Sequence, residues 1–193
     1  SLQIEKTLWD CFMYIRDYIP ADIMLIDVYN IMSGTGEIIA KADLSGGKLT
    51  STKIIVPANT KQLIEEIGKN PQMIEKVLVV DRIGDHSILG PISEVIGHPD
   101  DAFMVIGSNP EWNFIAAVFV GNNRGEKYSE KHVQLFSLLC EPFKIALSNY
   151  LRYREVLRLK ENFADDNRYL QEELRQQMGE EVVGAHYGLK QVM

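Results

Sequence analysis

Two apolar segments near the middle of the chain set the strongest limit on what it can fold into. AFMVIGS (residues 102–108) and WNFIAAVFVG (residues 112–121), joined through Asn109-Pro110-Glu111, read as a tight hairpin of two core strands. A sheet with one wet face alternates apolar and polar residues. Here Phe103, Met104, Val105 and Ile106 follow one another directly, and the run from Phe114 to Val120 is equally unbroken. Both faces of such a sheet must be covered, which predicts a helix layer, a sheet and a second helix layer. With 193 residues, 46% of them hydrophobic, the chain can bury one substantial core and carry appendages.

The flanking sequence supplies the other layers. Ile4, Leu8, Cys11, Phe12, Ile15 and Ile19 recur at helical spacing, and Pro20 closes that segment. The period then changes. ADIMLIDVYN, a turn at Ser33-Gly34-Thr35-Gly36, EIIAKADLS, a Gly46-Gly47 turn and KLTSTKIIVP predict a meander of two or three antiparallel strands. Asn59 and Gln62 suggest a capping box for the helix TKQLIEEIG, ended by Gly68 and Pro71. VLVVDRI reads as another strand, and PISEVIG as a short helix with proline in its first turn and Gly97 as its stop.

Ser129 can cap a last helix, whose apolar positions Phe136, Cys140, Phe143, Leu147 and Tyr150 continue past Pro142. That proline predicts a mild kink or an early helix boundary. Beyond Leu151 the chain becomes charged, and Val156, Leu159, Phe163, Leu170 and Leu174 leave a thin apolar stripe with Asp166 in the seam. The pattern predicts a short, imperfect coiled coil ended by Gly179.

Charge and cysteine usage exclude several functions. A net charge of −7 disfavours a surface that tracks nucleic-acid phosphates. Cys11 and Cys140 stand far apart without a CxxC pair or a secretory leader, which points to a cytoplasmic protein, and no apolar run reaches the roughly 20 residues that span a bilayer. Ser33-Gly34-Thr35-Gly36 and Gly46-Gly47-Lys48 each lack part of a phosphate-binding loop and are explained as hairpin turns. No nucleophile with its base, and no pair of catalytic carboxylates, stands out, so no catalytic residue is assigned.

The element order resembles an α+β, GAF-like fold, related to PAS domains: an antiparallel sheet of about six strands with helices on both faces, followed by a long C-terminal signalling helix. The words from Phe114 to Lys160 are similar to that family's last core strand, polar turn and closing helix, with Tyr128-Ser129 at the turn and Ala146-Leu147-Ser148-Asn149 in the helix. The tail resembles the linker and first residues of the AAA+ ATPase module of sigma-54-dependent transcription activators, with Val182-Val183-Gly184 in place of an IIG word and Gly188 to Met193 in place of a short helix. In that resemblance the sequence stops just before a Walker A loop would be expected. It implies a sensor over residues 1–150, a helical output linker over 151–178 and the start of a truncated AAA+ module over 179–193.

A sensor of this type implies an unidentified small-molecule ligand between the sheet and residues 59–98. Arg82 directly follows an apolar strand, where its planar fork can clamp a carboxylate or phosphate, with Asp85, His86 and Asn109 tuning the fit. Trp112 is a candidate for stacking on a ring. The competing readings are a surface ion pair for Arg82 and core packing for Trp112. Asp81, Asp85, His86, His98, Asp100 and Asp101 are hard and imidazole ligand types, but their spacings match no defined site, so no metal or other cofactor is assigned.

The expected function is small-molecule sensing within a sigma-54-dependent activator, with a homodimer formed through the first and closing helices. Leu147, Tyr150, Val156, Leu159, Phe163 and Leu170 carry the dimer and output face. The partners implied are the downstream AAA+ domain and sigma-54 RNA polymerase, with no nucleic acid or membrane bound by these residues themselves. The alternative is a ligand-free dimerisation module. An enzyme resembling GAF-type methionine sulfoxide reductases needs a reactive cysteine near the pocket, and neither cysteine is placed for it.

Overall fold

The computed structural model describes residues 2–111 and 113–188. One compact unit ends at Leu151 and a second begins at Arg152. The first unit is organised by six strands: β1 (Ile23–Asn30), β2 (Thr35–Asp43), β3 (Gly46–Ile54), β4 (Leu78–Val80), β5 (Ala102–Glu111) and β6 (Phe114–Asn122). They pair antiparallel in the order β3-β2-β1-β6-β5-β4. The meander has three strands, and its first turn closes at Gly34, whose φ of 64° suits glycine.

The unbroken apolar runs are divided between two cores, as the lack of alternation predicts. Met24, Ile26 and Val28 of β1, with Ala116, Val118 and Val120 of β6, pack in one core with Ile4, Leu8, Phe12 and Ile15 of α1 (Leu2–Ile15). Phe136 of α5 (Glu130–Ser137) and Phe143, Leu147 and Leu151 of α6 (Cys140–Gly188) join it. Leu25 and Tyr29, with Phe103, Val105, Ile115 and Phe119, face the other way. That second core is covered by α2 (Ala58–Gly68), α3 (Pro71–Ile74), α4 (Ser93–Ile96) and two 3-10 turns at Ile83–Asp85 and Gly90–Ile92.

Several helix boundaries differ from the expected ones. The first helix ends at Ile15 rather than Ile19; the chain turns there, and Tyr18 and Ile19 both donate their N–H to the Ile15 carbonyl. Helix α2 starts at Ala58 behind Pro57, which offers no side-chain cap, so the Asn59–Gln62 capping box is not its start. Proline serves because its fixed φ suits the entry to a helix. By contrast, Ser129 caps α5 in a reciprocal box with His132: the Ser129 Oγ accepts from the His132 N–H, and His132 Nδ1 accepts from the Ser129 N–H. Pro142 coincides with an early boundary, since α5 stops at Ser137 and α6 restarts at Cys140, where a proline in the first turn costs no hydrogen bond.

Gly179 does not end the last helix, which runs through Gly184 to Gly188. A glycine in a helix costs only about 1 kcal/mol relative to alanine and interrupts nothing by itself. Val182-Val183-Gly184 therefore lies within α6, and residues 189–193 lie outside the described ones. Leu147 is wholly buried and Tyr150 half-buried, whereas Val156, Leu159, Phe163, Leu170 and Leu174 are exposed, as is every residue from Arg152 to Gln176. Among the described residues, no helix is long and apolar enough to cross a membrane.

Candidate functional site

A cavity of about 650 Å³ lies between the second face of the sheet and the elements from α2 to the turn at Gly90–Ile92. Its floor is a consequence of register. Asp27 of β1 pairs with Ala117 of β6, and Ala117 pairs in turn with Gly107 of β5, so one row across three strands carries an aspartate, a methyl group and a bare backbone. Tyr29, Val105, Ile115 and Phe119 surround that row. One wall is Ile64, Ile67 and Ile74 from α2 and α3; the other is Ile88, Leu89 and Ile92. Gly107 also admits α3, because a Cβ there would stand 2.7 Å from the Ile74 Cγ2.

Polar groups converge on this apolar space from several elements: Asp27, Asn70, Gln72, Lys76 and His86 all border it. Asp27 is the most unusual. The pairs Ile26 with Ala40 and Asp27 with Ile38 leave Ile39 as an extra residue in β2, a bulge immediately beside the carboxyl. The Asp27 Oδ1 is enclosed without a hydrogen-bond partner, and among the described residues no Lys, Arg or His forms an ion pair with Asp27. Burial pushes its pKa up to about 7; the backbone N–H groups of Val28 and Glu37 offset part of this, and the Glu37 carboxylate adds to it.

Two further polar groups at the cavity, His86 and Tyr29, have defined partners. His86 Nδ1 accepts from the N–H groups of both Ile88 and Leu89 at 3.3 Å, and burial lowers its pKa. The neutral ring therefore keeps its proton on Nε2, as a donor. The Tyr29 hydroxyl donates to Glu65 Oε1 at 3.3 Å, tying β1 to α2.

The expected ligand residues divide. His86 lines the cavity; Arg82 and Asp85 do not. Strand β4 is only three residues long, and the chain then enters the turn at Ile83–Asp85, which leaves Arg82 on the surface in ion pairs with Asp100 at 2.5 Å and Asp85 at 3.5 Å. The Arg82 clamp is thus corrected to a surface ion pair, with Asp85 and Asp100 rather than Asp81 as its partners. Asn109 is not in the lining; its Nδ2 donates to the Gly68 carbonyl at 3.1 Å, fastening the end of α2 to β5, while its Oδ1 is buried without a partner. Trp112 lies outside the described residues. Among the described residues, no three His, Cys, Asp or Glu side chains form a metal-binding group; Asp81 pairs with Lys127 and Asp100 with Arg82. Burial raises the pKa of both cysteines, that of Cys11 to about 11, which leaves them as thiols.

Asp27 was not among the expected ligand residues, yet it is legible as a lone carboxylate inside IMLIDVYN, on the same face as Leu25 and Tyr29 by period-2 alternation. The site as revised carries a direct expectation for Arg82. Arg82→Ala is expected to leave the melting temperature and any ligand-induced shift unchanged, because both partners of the pair are exposed.

The same arrangement of sheet and helices recurs in solved structures. The GAF domain of a phosphoenolpyruvate-protein phosphotransferase from Coxiella burnetii superposes with a TM-score of 0.51 at 11% identity, covering 80% of this chain and 86% of that one. A phycocyanobilin-bound GAF domain from a cyanobacterial phytochrome gives 0.53 at 13% identity over 75% and 84% of the two chains. A red/green cyanobacteriochrome in its green-light-absorbing state gives 0.52 at 19% identity over 78% and 98%. The fold is the GAF fold. No protein-family model matches the chain, and no curated protein does. Within this GAF fold the cavity occupies the face away from α1 and α6, so the helices that leave the sheet and the polar groups that face the cavity are on opposite sides of one shared layer.

Proposed function

We propose that the chain is a small-molecule-sensing regulatory domain that binds its ligand in the cavity over Asp27, Ala117 and Gly107 and transmits occupancy through its terminal helices. The observation that carries this reading is an apolar cavity of about 650 Å³ with convergent polar groups and the Asp27 carboxyl among its lining. The sheet offers a physical route for the signal. Asp27 and Ala117 face the ligand, while their neighbours Ile26, Val28, Ala116 and Val118 pack in the core that holds α1 and α6. A coupling of roughly 1–3 kcal/mol is enough to bias a downstream equilibrium.

The wider setting we propose is a sigma-54-dependent transcription activator, in which α6 leads to an AAA+ ATPase and, through it, to sigma-54 RNA polymerase. Its support is the resemblance of the tail sequence. A homodimer through α1 and α6 belongs to the same proposal; the exposed apolar stripe Val156, Leu159, Phe163, Leu170 and Leu174 supports it. That stripe also favours the second reading, a dimerisation module without a ligand.

Two measurements separate these readings. A melting-shift screen of small metabolites is expected to find a stabiliser worth about 2.7 kcal/mol at 100 times its dissociation constant. Its effect should vanish in Ala117→Phe, which fills the floor. A screen without any stabiliser, or one whose stabilisers act equally on Ala117→Phe, leaves only the dimerisation module. Sedimentation at micromolar concentration is expected to show a dimer that weakens when residues 152–193 are deleted; a monomeric full chain with intact helices removes the output mechanism.

A further inference from the structure

The cavity also carries information about the charge of its occupant. Its buried walls are mainly aliphatic and aromatic, with Asn70, Gln72 and Lys76 exposed and His86 half-buried at its border, and Phe119, stacked edge-on against Phe103 at 6.3 Å, provides a rigid ring beside the Asp27 row. Asp27 is the acidic residue that lines the cavity, and among the described residues no cationic side chain forms an ion pair with it. Burial without a counter-charge favours the protonated carboxyl, and an adjacent cation is what lets such a group ionise at neutral pH.

We infer, resting on the sensing reading above, that the cavity selects an apolar, aryl-sized molecule bearing one protonated amine, whose N–H groups donate to the Asp27 carboxylate. The aryl body is buried against Phe119, Tyr29 and the isoleucines of α2 and α3, and the ammonium group supplies the counter-charge that the backbone N–H groups of Val28 and Glu37 do not. An anion would be repelled at the same point by Asp27; Lys76, which also borders the cavity, is exposed, and among the described residues it forms no ion pair with Asp27. The two sides compensate each other: neither charge is left unpaired in the complex, whereas each is poorly placed in an apolar cavity alone. Arg82, the residue type suited to an anion, stands outside the cavity in its ion pairs with Asp85 and Asp100.

Three probes with one indole body distinguish the charge classes: tryptamine, the neutral alcohol tryptophol and the anion indole-3-propionate, each titrated to low millimolar concentration into the full chain by calorimetry at neutral pH. Tryptamine is expected to bind at least about tenfold more tightly than the other two, the scale of one charge-assisted hydrogen bond. Asp27→Asn, which keeps the shape and removes the charge, should abolish that advantage, and Ala117→Phe should abolish binding. The inference is overturned if tryptophol or indole-3-propionate matches tryptamine, or if the tryptamine advantage survives in Asp27→Asn. In that event, binding of any probe that is lost in Ala117→Phe still supports a sensing cavity. Absence of binding by all three overturns the amine inference, while the metabolite screen decides the sensing reading separately.

Discussion

Asp27→Asn is expected to stabilise the chain by an amount that grows as the pH rises from about 4 to about 7 and is constant above that. Burial holds the folded-state carboxyl at about 7, against an ordinary value of 3.8. Between those limits the folded chain keeps a proton that the unfolded chain has lost. Stability of the natural chain therefore falls as pH rises through this window, and asparagine, which does not ionise, escapes the loss. The full difference is on the order of 4 kcal/mol, at about 1.4 kcal/mol for each tenfold change in the ionisation constant. Glu37 on β2, Glu65 on α2, Lys76 after α3 and His86 on the opposite wall are present in both chains, so comparing the two removes their own titrations to first order. Urea unfolding of both at about pH 5 and about pH 8 measures the effect. A difference that does not change with pH would mean that Asp27 is solvated in the folded chain, and the carboxyl would lose its part in the site.

The other large effect separates the part of α6 that belongs to the sheet from the part beyond Leu151. Leu147 is fully buried, in one core with Phe143, Leu151 and the first helix. Leu147→Ala is expected to cost about 2–5 kcal/mol, the range for deleting a leucine side chain in a core that cannot collapse around the space. Phe163, at 66% exposure, is expected to behave oppositely: Phe163→Ala should leave the unfolding free energy of the first unit unchanged and weaken self-association. Denaturation followed by circular dichroism, with sedimentation of the same variants, tests both. If Leu147→Ala weakened the dimer without destabilising the fold, Leu147 would be an interface residue after all.

The contrast between these residues shows what local pattern determines. Leu147 and Phe163 were both assigned to one dimer and output face, although the chain becomes charged beyond Leu151, because periodicity records which residues share a helix face and not how far the sheet beneath that face extends. The Ser129 cap and the boundary at Pro142 were legible for a related reason: capping and the missing proline N–H act within one turn of chain. Gly179 misled because glycine is a weak helix breaker whose effect neighbours override. Arg82 was read correctly as following an apolar strand, but its direction depended on how soon that strand ended.

The sequence by itself determined the layered architecture. Consecutive apolar residues in 102–106 and 114–120 leave no face of the hairpin for water, whatever the details of the rest. Tertiary structure decided the site. Asp27, Ala117 and Gly107 form a row only through the register of β1 on β6 and β6 on β5, and the bulge at Ile39 sits beside the carboxyl only through the pairing of β1 with β2. The cavity exists because three small residues, remote in sequence, coincide beneath α2 and α3. The carboxyl is raised because those same elements exclude water from it. Neither the coincidence nor the desolvation belongs to any one segment, so no segment announces it.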